Sequence, residues 1–541
     1  MRFKNYRIFF LIIAILSVFF IDIIDISVFA ENNKNYGDTI ILGSIGDASN
    51  LMPMLSSDAT SHEISGLLIN GLVKYDKNLN LVGDLAKSWE ISPDGLTITF
   101  HLKKGVLWED GKEFTAEDVI FGFKTITDPK IPTAYAGDFM MVKDISAPDK
   151  YTVVVNYKEP FAPALGSWGN IVVLPKHLLE GKDITASPLA RKPISLGPYK
   201  FKEWKTQEKI VLEANPAYFD ERPYLDNYIM RIIPDSATMF LELKTGNLDW
   251  MGLSPLQYSR QTKNKFFNDN FNKYQYLAFS YTYMGYNLKS PFFNDKKVRQ
   301  ALNYAINKEE IVNGVLLGYG IPAHGPYKPD SPFYNRNLPK SVYDLEKAKA
   351  LLKEAGWADT NKDGILDKNN IKFSFTILTN QGNDLRLKTA QIIQHRLKQI
   401  GIEAKIRTVE WAAFIKDFIN KRRFEAIILG WTMGIEPDIY DIWHSSRADG
   451  VGLNFIGYKN TEIDKLLEEG RKTFDIEKRK QIYFKIQEIL LDDQPYTFLY
   501  FPMALPIIHK RFKGIEPAPS GITHNFEKWY VPKNEQKYIA P

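Results

Sequence analysis

The run from Gly71 to Phe123, GLVKYDKNLNLVGDLAKSWEISPDGLTITFHLKKGVLWEDGKEFTAEDVIFGF, packs strand, turn and helix signals close together. Thr97-Ile98-Thr99-Phe100-His101-Leu102 alternates at period two, the pattern of a strand with one buried face. Pro93-Asp94-Gly95 before it has turn chemistry, so a strand pair should fold back there, and Asp110-Gly111 marks a second turn. Thr115 stands where a helix N-cap belongs, with Glu117 and Asp118 placed to meet the positive end of the helix dipole. A helix is expected over Ala116 to Thr125.

Outward from this run the same alternation continues, as an α/β chain requires. Strands are expected at Thr39 to Gly43, Tyr199 to Trp204 and Ile210 to Ala214, the last two flanking the polar turn Thr206-Gln207-Glu208. The clearest helix runs from Asp384 to Ile400, with Leu387, Ala390, Ile393, Leu397 and Ile400 on one face and Gly401 at its stop. A strand from Glu403 to Val409, a helix from Trp411 and an apolar strand from Ala426 to Leu429 complete a βαβ-like unit. Leu174-Pro175 and the proline-rich stretch from Ser187 to Pro198 mark a boundary. Aromatic, extended segments at Tyr274 to Tyr286 and Tyr496 to Pro506 bracket a long middle region, as a two-stranded hinge between lobes would. No internal repeat or low-complexity tract is visible.

Arg2, Lys4 and Arg7 precede an apolar run from Ile8 to Ile21 interrupted only by Ser17, too short to span a bilayer but right for a signal peptide. Val28-Phe29-Ala30 offers small residues to a signal peptidase, so a cut after Ala30 is expected, and residues 1–30 are read as a cleavable export signal. An uncleaved anchor is the other reading, and Asp22 and Asp25 speak against it. With no cysteine at that site the product is not a lipoprotein, and a periplasmic location follows.

The 541 residues carry 69 Lys+Arg against 64 Asp+Glu, a balance without the polybasic footprint of a nucleic-acid binder. Zero cysteines remove disulfides, Fe–S clusters, thiolate zinc sites and cysteine nucleophiles. Aromatic residues reach 13 %, enough to line a cavity with rings as well as fill cores. No G-x-S-x-G, H-E-x-x-H, Walker A or G-x-G-x-x-G is present, and the eight histidines show no metal-ligand spacing. Asp359, Asn361, Asp363, Gly364 and Asp367 resemble the start of a calcium loop, but position twelve is Asn370 where a bidentate Glu belongs; a tight Asx-rich turn is the alternative.

The Gly71–Phe123 run closely resembles the signature region of extracellular solute-binding proteins of ABC importers, family 5, which includes oligopeptide, dipeptide and nickel binders. Ser195-Leu196-Gly197-Pro198-Tyr199 resembles that family's G-T-G-P-Y loop, with Ser-Leu in place of Gly-Thr. Gly285-Tyr286-Asn287 and PFFNDKKVRQALNYAINKEEIV from Pro291 to Val312 resemble a further family segment, as do Glu346 to Trp357, Gly430-Trp431 and the ending near Gln494-Pro495. The resemblance implies an α/β, two-lobed periplasmic binding protein of the flytrap type (type II), with an extra domain in the first lobe. Residues 31–70, 188–282 and 506–541 would form a discontinuous core domain, 71–187 the extra domain, and 283–505 the second lobe. It implies no catalysis and no cofactor. It also implies a monomer that closes on a peptide and serves inner-membrane permease subunits with separate ATPase subunits, without nucleic acid.

In peptide-binding relatives a Trp in an E-W-x-x-F motif and a G-W-x-x-D-x-x-[DE]-P motif line the cleft. The resemblance carries these to Glu410-Trp411-x-x-Phe414 and to Gly430-Trp431-Thr432-Met433-Gly434-Ile435-Glu436-Pro437, one residue short. Trp411, Trp431 and Thr432 are the leading ligand contacts, and hydrophobic packing is the competing reading for both tryptophans. The aspartate that holds a peptide ammonium in those relatives has no counterpart, so Glu436 or Asp438 would have to take that role; Asp438 could equally cap the segment Ile439 to Trp443. Gly46, Asp47, Tyr283, Asn287, Trp443 and His444 are further candidates from loops that meet at the hinge in this family. The same fold binding an oligosaccharide stays open, as do a nickel chelate or haem and, from a different class, a periplasmic glycoside hydrolase with paired carboxylates.

Overall fold

The structure is a computed structural model that describes residues 35–450 and 452–538. The segment read as an export signal, with Arg2, the apolar run and the expected cut after Ala30, lies outside the described residues. In chain order the elements that position the site begin with β1 (Thr39–Ser44), α1 (Ala59–Leu68), β2 (Ala86–Ile91), β3 (Thr97–Leu102) and α2 (Ala116–Ile126). They continue with β4 (Val142–Asp149), β5 (Thr152–Tyr157), β6 (Tyr199–Lys205), β7 (Lys209–Ala214), β8 (Asn227–Ile232), β9 (Trp250–Gly252) and β10 (Phe271–Lys273). Then follow β11 (Tyr276–Leu277), β12 (Ser280–Tyr286), β13 (Ser374–Asn380), α3 (Asp384–Lys398), β14 (Glu403–Val409) and β15 (Ala426–Thr432). The last are α4 (Thr461–Lys472), α5 (Ile476–Asp493), β16 (Tyr496–Ala504) and β17 (Pro506–His509).

Three sheets carry the molecule. The first is seven-stranded in the order β10-β17-β9-β1-β8-β7-β6. The second follows β11-β16-β12-β15-β13-β14, with the short strand Gly320–Pro322 also pairing with β16. A four-stranded sheet, β2-β3-β5-β4, is built from the early part of the chain. It shares one apolar core with the first sheet: Ile40 and Tyr228 pack in the same cluster as Phe100 and Trp168. The second sheet has its own two cores, one per face, with Ile428 on one side and Ile427 and Leu429 on the other.

Local chemistry explains most element ends. α2 opens on a capping box: Thr115 and Asp118 each satisfy a backbone N–H of the other, which accounts for the start read from sequence. α3 starts at Asp384 as expected but ends at Lys398, two residues early, because the Gln399 N–H turns to the Arg396 and Leu397 carbonyls and Gly401 reverses the chain at φ 77°. The helix expected from Trp411 is a single turn, Trp411–Ala413, that widens into the π-type turn Phe414–Ile419. β15 runs three residues past Leu429, so Gly430, Trp431 and Thr432 are strand residues. β13 pairs in parallel with both β14 and β15, the arrangement a βαβ unit produces.

The two extended aromatic segments are neighbours. Tyr276 pairs with Ala504 and Leu277 with Met503, and beyond them Thr282 faces Tyr500 and Gly285 faces Tyr496. On the other side β10 and β17 pair within the first sheet. The chain therefore crosses between the two large sheets twice, on strands that lie side by side.

Candidate functional site

The C-terminal ends of β13 and β15 and the start of β12 form the edge of the second sheet that faces the first lobe. Trp431 is half-buried near the end of β15. Its ring stacks at 5.4 Å on Phe455 and lies parallel to Tyr283 at 6.5 Å, and its Nε1–H donates to Tyr496 Oη at 3.3 Å. Behind it Tyr283 stacks on Tyr496 at 3.9 Å, and Trp443 packs on Tyr496 at 4.6 Å. Tyr283 and Trp443 are fully buried, so they form the wall behind Trp431 and present no free surface. Thr432 is exposed at the strand end.

Trp411 reaches the first lobe. A Cβ on Gly46 would stand 2.7 Å from Trp411 Cδ1, so glycine is what lets this backbone lie against the indole. Next to it Glu410 caps its own turn through Ala412 and Ala413 N–H, and Gln207 Nε2 of the first lobe donates to it at 3.2 Å. Asp47 is fully engaged within the first lobe: it accepts from Trp204 Nε1 and the Gln207 N–H, both at 2.9 Å, and from the Ala48 N–H. Burial raises its carboxyl above the ordinary range.

The two carboxylates considered for a ligand ammonium already have cations. Glu436 pairs with Arg479, and burial raises its carboxyl. Asp438 lies 2.6 Å from Arg471 Nη2 and its Oδ1 accepts the Tyr440 N–H, but the N-cap of the turn Tyr440–Trp443 is Ile439, so the cap expected at Asp438 falls one residue later. Asn287 is committed to the backbone, donating to Phe424 O at 2.9 Å and accepting the Lys289 N–H. His444 stacks on Tyr440 at 4.1 Å and bonds Ser446 Oγ at 2.7 Å, which makes it a local cap. In the calcium-like run, Asp359 accepts the Asp363 and Gly364 N–H groups, Asp363 pairs with Lys372, and Asp367 accepts from Thr360. That run is an Asx-rich turn whose oxygens serve its own chain. Among the described residues no group of three or more His, Asp or Glu is placed to hold a metal.

Reading the sequence missed the contacts that join the lobes. Arg471, near the end of α4, donates to Gly137 O at 3.0 Å and Asp138 Oδ1 at 2.9 Å in the early region, while also facing Asp438 and lying 3.7 Å over the Tyr440 ring. Arg447 Nε stands 2.9 Å from Asp441 Oδ1, at an angle that makes no hydrogen bond. Burial, then the neighbouring Asp441, pushes Asp138 up to about 8. Backbone joins as well: the Ala162 N–H donates to Arg471 O at 2.6 Å. In the run Glu468-Glu469-Gly470-Arg471-Lys472 the arginine looks like any solvated helix end, and nothing in it announces a partner three hundred residues away. A surface pocket of about 640 Å³ lined by Gln300, Tyr304, Leu338 and Leu491 opens elsewhere on the second lobe and holds none of these groups.

The family description "Bacterial extracellular solute-binding proteins, family 5 Middle" matches residues 80–452. This chain belongs to that family. The family-5 chain is 39 % identical over 511 residues to the oligopeptide-binding protein AppA of Bacillus subtilis, covering 92 % of each. Its structure superposes on that of B. subtilis AppA in complex with a nonapeptide at a TM-score of 0.88, with 38 % identity, over 92 % of this chain and 100 % of the other. DppA of Helicobacter pylori in complex with the peptide STSA gives 0.83 at 30 % identity, over 93 % and 100 %. NikZ of Campylobacter jejuni in complex with Ni(L-His) gives 0.82 at 30 % identity, over 91 % and 99 %. The fold is thus that of the two-lobed binding proteins, and no described helix of this family-5 chain is long and apolar enough to cross a membrane.

Proposed function

We propose that this protein captures peptides between its two lobes and presents them to the permease of an ABC importer. The observation that carries the reading is the inter-lobe surface built on Trp431 and Trp411, at the edge where two adjacent crossing strands join the lobes. It has aromatic walls and strand-edge backbone, the combination that main-chain pairing and tolerant side-chain pockets need. The likeness to AppA bound to a nonapeptide supports a peptide ligand. Of the contacts proposed from sequence, Trp431 and Trp411 are half-buried and Thr432 is exposed, which leaves them surface for a ligand. Tyr283 and Trp443 would act behind them, and Gly46 would supply close backbone. Glu436 and Asp438 would shape the loop through their arginines. Residues 31–70, 188–282 and 506–541 would serve as the first core domain, 71–187 as its extra domain and 283–505 as the second lobe. The chain would act as a periplasmic monomer, with the ATPase on a separate subunit.

Native mass spectrometry of protein purified without refolding tests the ligand class. Released masses that fragment as peptides are the expected result; a released sugar or an amino-acid chelate of nickel would overturn it.

A further inference from the structure

Buried polar atoms are nearly always hydrogen-bonded, so a place where several are left over calls for an explanation. Asn303, Ser341 and Gln494 make such a place. The Asn303 Oδ1, Ser341 Oγ and Gln494 Oε1 atoms are buried and have no hydrogen-bond partner among the described residues. All three residues line the surface pocket of about 640 Å³ on the second lobe, whose lining includes neither Trp431 nor Trp411. Other unpartnered atoms, such as the Tyr281 and Tyr283 phenol oxygens, lie inside the solid core behind the cleft.

Asn303 belongs to the helix Lys296–Ala305 and is 5 % exposed. Gln494 closes α5 in left-handed backbone at φ 47° and is 3 % exposed. Its Nε2 donates to Leu491 O at 2.5 Å, which leaves the amide oxygen over. Ser341 lies in the loop before the helix Leu345–Glu354; its N–H donates to His324 Nδ1 at 3.3 Å, while its hydroxyl stays unpaired. Tyr304, Leu351 and Leu491 add apolar surface. The carboxylates of the rim are already engaged. Asp492 pairs with Lys296, Glu488 with Lys485 at 3.4 Å, and Asp344 accepts the Lys347 N–H at the start of its helix. Lys347 lies 4.2 Å over the Tyr304 ring, and Lys340 is exposed, where an ion pair is worth little. The groups the pocket has to offer at depth are therefore neutral, two carboxamides and a hydroxyl beside apolar walls.

A carboxamide holds an acceptor and N–H donors in one plane, which matches the C=O and N–H of a peptide group. Pockets for small ligands join apolar walls to a few such polar groups, whereas an ion brought against neutral amides would lose its water without gaining a counter-charge. We infer that this pocket is a second ligand site, which takes the main-chain amide of a short, uncharged peptide. Asn303 and Gln494 bond the amide, and Tyr304, Leu351 and Leu491 hold a small apolar side chain. The site is separate from the cleft and does not depend on the reading of it. Gln494 stands two residues before β16, whose Tyr496 accepts from Trp431, so the two sites border one crossing strand.

The test titrates the full-length protein with the uncharged tripeptide N-acetyl-Ala-Leu-Ala-amide by calorimetry. One equivalent should bind in a class that survives Trp431→Ala. Asn303→Leu removes the carboxamide with little change of shape and should weaken that class by about tenfold or more. Gln494→Asn keeps a residue that tolerates left-handed backbone but draws the oxygen back, so it should give a loss in the same direction. Thermal melts confirm that the variants fold. If the tripeptide does not bind the Trp431→Ala protein, the pocket holds water alone and the inference is overturned. It is equally overturned if Asn303→Leu and Gln494→Asn both bind the tripeptide as tightly as the unaltered protein. The cleft reading stands in either case.

Discussion

Gly382 and Trp431 are two positions where a single residue should govern the proposed cleft. At Gly382 a left-handed backbone and the Pro234 carbonyl leave no place for a methyl group. Gly382→Ala should leave each lobe folded but hold the lobes apart. Small-angle scattering with saturating ligand should then show a larger radius of gyration than the unaltered protein, with ligand affinity reduced by about tenfold or more. A compact, tightly binding variant would contradict this. Trp431→Ala removes a ring stacked between Phe455 and Tyr283, so it should lower ligand affinity by about tenfold or more and the melting temperature by a few degrees. The sequence pointed to the tryptophan because it follows an apolar strand run, and that run does form the strand that carries it. The contact of Arg471 with Gly137 and Asp138 left no such sign, because nothing beside it in the chain marks so distant a partner.

At the scale of elements, α4 brings Arg471 against the Gly137–Asp138 turn, and the loop after β15 brings Asp438 to the same guanidinium. Removing one member of such a group leaves the others buried and unpaired. Arg471→Met should weaken closure, and its effect should overlap with that of Asp138→Asn. A double-mutant cycle on ligand affinity should show coupling between them; additive losses would mean that Asp438 alone uses the arginine. The strands and helices themselves were largely legible. Period-two runs, the Thr115 cap and the Gly401 stop located β3, α2 and α3 to within a few residues. What could not be read was register between distant segments. The pairing of Tyr276 with Ala504, and hence the adjacency of the two crossings, depends on partners more than two hundred residues apart.

At the scale of the whole molecule, three carboxyls (Asp138, Asp438 and Asp441) face two guanidiniums, those of Arg447 and Arg471, with the Tyr135 phenol nearby. Asp138 belongs to the early part of the chain and the other four charged groups to the late part, so the cluster is complete only when the lobes meet. With the lobes together, burial and then Asp441 push Asp138 up to about 8; if parting the lobes exposes it, its value falls back toward that of an ordinary carboxylate, and closure then takes up a proton. For a group whose pKa is raised, the favourable contribution is fully present below the lower, open-form value and is lost as pH rises through the higher one. Ligand affinity should therefore fall between about pH 4 and 8, by at most about tenfold per pH unit, and level off above that. Asp138→Asn should flatten the profile; an unchanged slope in that variant would place the proton elsewhere.

The first sheet also sets an order of events during synthesis. β17, from residues 506–509, lies between β9 and β10, strands made more than two hundred residues earlier. Asp38, beside β1, receives Arg511 and the N–H groups of Lys537 and Tyr538. The second sheet, apart from its two crossings, draws on one continuous stretch of chain and can form as soon as that stretch exists. The first cannot close its gap until the last strand emerges. A chain cut short after about residue 505 would therefore keep two unsatisfied strand edges facing each other across an empty slot, and such edges invite pairing with another chain. Tail-truncated protein should accumulate as aggregate even though every residue of the proposed ligand cleft is still present.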